Sequence, residues 1–185
     1  VFFVDDNFIG NRRDLKENIL PALIDWRQDK VGFEFQTEVS INLADDPELM
    51  SMMVESGFDR VFVGIETPDD ASLAECNKIQ NRGRDLVAAV HEMHQAGLEV
   101  QGGFIVGFDS DTPSIFQQQI EFIQQSGIVT AMVGLLQAPI GTRLYKRLKH
   151  EGRIRDELSG DNMDGSTNII PKMPLDILRS GYQDI

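Results

Sequence analysis

Five short apolar stretches recur along this chain at intervals of about thirty residues, and each is followed by a stretch with helical spacing of its apolar residues. That interval fits a strand, a helix and two short loops. The predicted strands cover residues 1–5, 33–40, 60–66, 98–107 and 129–137. The sequence therefore predicts an α/β fold of (βα) repeats with a parallel sheet.

The repeat is compatible with two architectures. Right-handed crossovers between parallel strands build either a doubly wound open sheet or a barrel. Periodicity alone does not choose between them. Five units fall short of the eight of a closed TIM barrel, so a barrel would have to be partial or truncated.

The carboxyl ends of the predicted strands are rich in acidic and amide side chains, and ligands of parallel α/β proteins bind at these ends. The rim comprises Asp5, Asp6, Asn7, Glu38, Ser40, Glu66, Thr67, Asp109, Asp111 and Gln137. Such a rim suits an ammonium group, ribose hydroxyls or a hard cation.

Several of these acids have a simpler explanation. An aspartate at a strand end often caps the following helix, and on that basis we predict capping roles for Asp46, Asp69, Asp109 and Asp111. Residues 109–112 would cap a helix that begins at Pro113. Glu38 and Glu66 lie inside apolar strands where they cannot cap, so each is expected to need a partner.

The composition of the chain argues against some classes of binding partner. Thirty acidic residues against seventeen basic ones give a net charge of −13, which opposes binding to nucleic acid or to an anionic membrane surface. No apolar run has the length of a membrane span and no leader opens the chain, so a cytoplasmic protein with a small-molecule substrate is expected. The single cysteine, Cys76, is expected to be a buried, inert thiol, and no metal site is predicted. GDNMDG fails as a calcium loop because Gly160 and Pro171 stand where acidic ligands should be.

The strand ends, taken in order, resemble those of the radical S-adenosylmethionine enzymes, in the group that carries a cobalamin-binding domain before the radical domain. The matching stretches are FVDDNF, TEVS, GIET, GGFIVGFDSDT, LLQAPIGTRLY and, in the tail, NMDGSTNIIPKMP. The resemblance implies a partial TIM-type barrel truncated before its first strand. Residues 1–150 would supply strands two to six, and residues 151–185 a loop-rich tail with a short C-terminal helix.

The resemblance also implies positions for S-adenosylmethionine. Asp5 and Asp6 would meet the methionine amino group, and Glu38 and Glu66 would line the site. Lys78 resembles the basic residue that meets the methionine carboxylate.

A second part of that site would be backbone. Ile105 lies between Gly103 and Gly107 and would present its main chain to the adenine, because small neighbours permit close approach. No residue of this chain is predicted to be catalytic on the basis of the resemblance.

One family feature is missing. The C-x-x-x-C-x-x-C loop, whose thiolates hold the 4Fe-4S cluster that cleaves S-adenosylmethionine, does not occur here, and Cys76 matches none of its positions. We therefore expect a fragment that is inactive alone. Its parent would be an iron-sulfur enzyme that uses S-adenosylmethionine and, in this group, cobalamin, for methyl transfer or another radical reaction.

Two alternatives from other classes remain. A stand-alone small α/β enzyme could use the carboxylate rim with a divalent cation. A non-catalytic binding module could instead engage a partner through the exposed edge of strand one, and this edge would also allow self-association.

Overall fold

The computed structural model describes residues 1–155 and 165–185, which form two compact units. The first unit contains residues 1–65, 83–103 and 123–131. The second unit contains residues 66–82, 104–122, 132–155 and 165–185. Among the described residues, no helix combines the length and the apolar character needed to cross a bilayer.

Five strands form one sheet in the order β1-β2-β3-β4-β5. They are β1 Phe2–Phe3, β2 Phe35–Val39, β3 Phe58–Glu66, β4 Glu99–Val106 and β5 Thr130–Leu135. β1 pairs with β2, and β2 with β3, in parallel, with Thr37 opposite Phe3 and Val61. A doubly wound sheet reverses its strand order at a switch point, whereas a barrel adds each strand beside the previous one. The sequential order confirms the barrel-type α/β fold.

The helical stretch after β1 is built from four pieces, which end in the π-helical turn Leu15–Ile19 and α2 Leu20–Arg27. The first two pieces are the 3-10 turn Phe8–Asn11 and α1 Arg12–Asp14. Pro21 lies in the first turn of α2, where its missing N–H donor costs little. The widened turn before it lets the Leu20 N–H donate to the Leu15 carbonyl.

Two further α-helices of the first unit each follow an aspartate cap and end at a glycine. Asp46 accepts a hydrogen bond from the Leu49 N–H at 3.1 Å and caps α3 Pro47–Ser56. Gly57 ends this helix with φ 107°, in the left-handed region that favours glycine. α5 Leu86–Ala96 is capped by Asp85 and ends at Gly97 in the same way. The predicted capping role of Asp46 is confirmed.

The described residues of the second unit include α4 Asp70–Glu75, the N-terminal part of α6 Ser114–Ser126, α7 Arg143–His150 and α8 Leu175–Asp184. α6 begins one residue later than predicted. Its residues Ile115 and Phe116 pack with Leu135, Met173 and Leu178 in one buried cluster.

Residues 167 and 168 of the tail are hydrogen-bonded to the backbone just after the end of β5. Asn168 is buried, and its side chain both accepts from the Ala138 N–H at 2.8 Å and donates to the Ala138 carbonyl at 2.9 Å. Thr167 donates to the Leu136 carbonyl at 2.6 Å. Ile154 and Ile169 form an antiparallel bridge. Most of the rejected calcium loop at 160–165 lies outside the described residues.

Candidate functional site

Glu66, the last residue of β3, has an unusual backbone. Its φ is 68°, in the left-handed region that non-glycine residues seldom adopt. Its Oε1 lies 2.6 Å from Nζ of Lys78, and the two side chains are 19% and 27% exposed. The structure thus supplies the partner that sequence analysis expected for Glu66. Conformations of this kind cost free energy and cluster at ligand sites.

The loop after α4 places Lys78. Asp69 caps α4 by accepting from the Ser72 N–H at 2.8 Å, as predicted. Asn77 follows the helix with φ 60°, and the Lys78 N–H donates to the Leu73 carbonyl at 3.0 Å. This tight reversal turns the lysine back to Glu66.

Asp111 does not cap α6, so that prediction is wrong. One carboxylate oxygen accepts from the N–H groups of Gly107 and Phe108 at 2.8 and 3.0 Å, and the other accepts from the Ser72 hydroxyl at 2.7 Å. Burial raises the pKa of Asp111. Gly107 has φ 106°, which explains the glycine there. Asp111 therefore fixes the loop that follows β4.

Asp109 does not cap α6 either. It accepts from Arg147 at 2.7 Å and from Arg153 at 2.9 Å, and these arginines hold the pKa of its carboxyl well below the ordinary value. The local pattern could not reveal this, since the partners lie 38 and 44 residues further along the chain. Glu75, which sequence analysis missed, accepts from the Asp109 and Ser110 N–H groups at 3.2 and 3.0 Å.

Ile105 and Gly103 have structural partners of their own. In the second unit, the Ile105 carbonyl accepts from Nε2 of the fully buried Gln119 at 2.9 Å. Within the described chain, Oε1 of Gln119 is buried and has no partner. In the first unit, a Cβ at Gly103 would lie 2.7 Å from the Phe62 ring. Packing against Phe62 thus accounts for this glycine.

The predicted site residues of the first unit are more open. Asp5 and Asp6 are exposed, and Asp5 accepts from the Asn7 N–H at 3.2 Å. Asn7 in turn accepts from the Ser40 N–H at 3.0 Å. Glu38 is half-buried in β2 and makes no side-chain hydrogen bond or ion pair with any described residue. Because water reaches its carboxylate, the expected partner for Glu38 is not required.

The side chains of this chain suit S-adenosylmethionine but not an iron-sulfur cluster, two of the cofactors that the sequence resemblance implies. Glu66 and Lys78 carry the opposite charges needed to meet the ammonium and carboxylate of a free amino acid moiety. The thiol of Cys76 is exposed, not buried as predicted, and desolvation nevertheless raises its pKa. Over residues 1–155 and 165–185, no three His, Cys, Asp or Glu side chains are grouped to hold a metal ion. These residues do not fit an iron-sulfur cluster.

Comparison with known proteins finds curated relatives along nearly the whole chain. It is 44% identical over 184 residues to an uncharacterized methyltransferase of Synechocystis sp., covering 98% of this chain and 34% of that protein. It is 41% identical over 167 residues to the hopanoid C-2 methylase of Rhodopseudomonas palustris, covering 89% of this chain and 31% of that protein. The chain thus spans about a third of the length of these relatives. A family model described as a domain of unknown function (DUF4070) matches residues 142–185.

A solved structure shares the fold. The radical S-adenosylmethionine methyltransferase TsrM from Kitasatospora setae, determined with cobalamin and a [4Fe-4S] cluster bound, superimposes with a TM-score of 0.68 at 14% identity. The match covers 98% of this chain and 36% of TsrM. These findings agree with the sequential sheet and the ordered strand-end motifs: the chain has the fold of a radical S-adenosylmethionine enzyme and is related in sequence to curated methyltransferases.

Proposed function

We propose that the protein containing this chain is a radical S-adenosylmethionine methyltransferase with a 4Fe-4S cluster and cobalamin, and that this chain supplies part of its S-adenosylmethionine site. The curated relatives are methyltransferases by name, and TsrM carries both cofactors.

One observation carries the proposal: a carboxylate and an ammonium meet at 2.6 Å at the end of β3, on a residue held in the left-handed region. A strained residue persists only where the surrounding structure fixes it. Glu66 and Lys78 would exchange their mutual pairing for the ammonium and carboxylate of the methionine moiety.

The other assignments extend this site. Asp5 and Asp6 would bind the methionine amino group with their exposed carboxylates, and Glu38 would line the same site. The main chain around Ile105, with the flanking glycines Gly103 and Gly107, would contact the adenine.

The cluster must be held by residues outside this chain, since the chain contains one cysteine. When bound, the cluster supplies the electron for reductive cleavage of S-adenosylmethionine. Residues of this chain bind and orient the cosubstrate, so the chain alone would be inactive.

The test uses the protein extended upstream of Val1 in its own gene, reconstituted with iron and sulfide without oxygen. We expect an electron paramagnetic resonance signal of the reduced cluster that changes when S-adenosylmethionine is added. Glu66→Gln should keep the cluster signal and weaken the response to S-adenosylmethionine by roughly tenfold in concentration, since one charge-assisted contact is lost.

Ser110→Ala serves as the matched control, because Ser110 bonds Glu75 and not the proposed site. A protein that takes up no cluster would overturn the proposed function. A cluster whose signal responds identically in the Glu66→Gln variant would overturn only the role of Glu66.

The alternatives have less support. A divalent-cation enzyme would need its carboxylates grouped, whereas in the described chain Asp109 is engaged by arginines and Glu66 by a lysine. No observation favours a binding module. A small-molecule substrate, a cytoplasmic location, self-association through β1 and the absence of nucleic-acid binding remain predictions.

A further inference from the structure

The second unit contains a cavity of about 440 Å³ that none of the assigned residues explains. Its apolar wall consists of Phe108, Leu136 and Leu144. Leu136 directly follows β5, and Phe108 is the second residue after β4, so the cavity opens at the carboxyl ends of these strands. The volume falls in the range of small-molecule sites, which are mostly apolar with few polar groups.

The polar part of the lining includes a single basic residue, Arg143, the first residue of α7. Arg143 is exposed and makes no ion pair or side-chain hydrogen bond with any residue that the structure describes. The next two arginines along the chain differ from it, because Arg147 and Arg153 are both bound to Asp109. Even in a chain of net charge −13, this guanidinium therefore stands beside an apolar cavity without an acidic partner among the described residues.

The acidic residue in the lining, Glu75, is engaged by other partners and does not pair with Arg143. Both carboxylate oxygens of Glu75 are engaged, one by the Asp109 N–H and Arg147, the other by the N–H and hydroxyl of Ser110. The two remaining polar residues of the lining are neutral: Asn77 has no ionisable group, and partial desolvation raises the pKa of the Cys76 thiol. The cavity therefore offers one free positive charge and an apolar interior.

We infer that this cavity binds a small molecule with an apolar body and one acidic group, a carboxylate, sulfonate or phosphate, which the Arg143 guanidinium recognises. That the molecule is the methyl acceptor rests on the proposed function. Binding itself needs neither the cluster nor S-adenosylmethionine, so the two proposals can fail separately.

The test compares two fluorescent probes with nearly the same aromatic skeleton in the intact protein that contains this chain. One is 1-anilinonaphthalene-8-sulfonate, and the other is the uncharged N-phenyl-1-naphthylamine. We expect Arg143→Gln to weaken binding of the sulfonate roughly tenfold and to change binding of the neutral probe less than about twofold, because only the charged contact is lost. Arg143→Lys should restore part of the affinity.

Lys146→Gln is the matched control, because it removes an exposed positive charge from the same helix without touching the cavity. Cys76 lines the cavity and reports occupancy directly. Its alkylation, followed at peptide level by mass spectrometry, should slow when the sulfonate is bound. Equal effects of Arg143→Gln and Lys146→Gln, or alkylation of Cys76 that ignores the probe, would overturn the inference.

Discussion

Glu66 combines two properties with opposite consequences for stability. The ion pair with Lys78 stabilises the fold, whereas the left-handed backbone costs about 1 kcal/mol in any residue with a Cβ. We expect Glu66→Gly to be more stable than Glu66→Ala by about 1 kcal/mol, since both lose the pair and only glycine relieves the backbone. Urea unfolding measures the difference. Equal stabilities would show that the backbone at this position is not strained.

The ion pairs of Asp109 predict how the stability of the fold depends on pH. The arginines beside it hold its folded-state pKa well below 3.8, so its carboxylate stabilises the fold above that ordinary value. This contribution is lost as the pH falls through the depressed folded pKa. The stability gap between the wild type and Asp109→Asn should therefore be widest near about pH 7 and shrink below about pH 4.

Unfolding by urea at several pH values tests this. Arg153→Gln removes a partner of the same carboxylate and should reduce the acid dependence in the same direction. A gap between wild type and Asp109→Asn that stays constant with pH would contradict the role assigned to the arginines.

At the scale of elements, two acidic residues at the start of α3 allow the contribution of the helix cap to be compared with that of an ion pair. Asp46 and Glu48 both bind Lys16 at 2.7 Å, but only Asp46 caps the helix. Asp46→Ala should cost about 1 to 2 kcal/mol, and Glu48→Ala, at an exposed position, less than about 0.5 kcal/mol. Thermal unfolding compares the two variants. Similar losses would mean that the ion pairs, and not the cap, stabilise this helix.

The contact of β4 with β3 through Gly103 gives a second test. An alanine there would place its Cβ 2.7 Å from the Phe62 ring, so Gly103→Ala should destabilise by about 1 to 3 kcal/mol. Phe62→Leu in the same chain should recover part of this loss by making room. If the double variant is no more stable than the sum of the single changes predicts, the steric explanation fails.

These elements also show how far sequence reasoning extends. The strand positions, the (βα) repeat and the caps of Asp46 and Asp69 follow from local patterns, because these features depend on residues close together in the chain. The choice of a barrel over a doubly wound sheet does not follow from them. Asp109 and Asp111 carry the same local signal, yet their partners are distant arginines and a distant serine. Only the folded chain reveals such pairings. The cavity beside Arg143 likewise depends on residues from separate elements.

For the whole molecule, the chain should not assemble an iron-sulfur cluster by itself. It offers one thiol, whose pKa is raised by desolvation, and a cluster needs several thiolates. After anaerobic incubation with iron and sulfide and removal of excess reagent, we expect iron to be absent beyond trace level. The extended protein, treated in parallel, is the positive control. Stoichiometric iron on the chain alone would contradict this account.

The carboxamide of Asn168 has the same donor and acceptor groups as a peptide bond. It pairs with the N–H and the carbonyl of Ala138, three residues after the end of β5, as a neighbouring strand would. A side chain of the tail (residues 151–185) thereby satisfies backbone groups of the barrel segment (residues 1–150). A tail without a carboxamide at position 168 would leave the N–H and carbonyl of Ala138 buried and unpaired. The two segments are therefore expected to be inherited, and to diverge, as a single evolutionary unit.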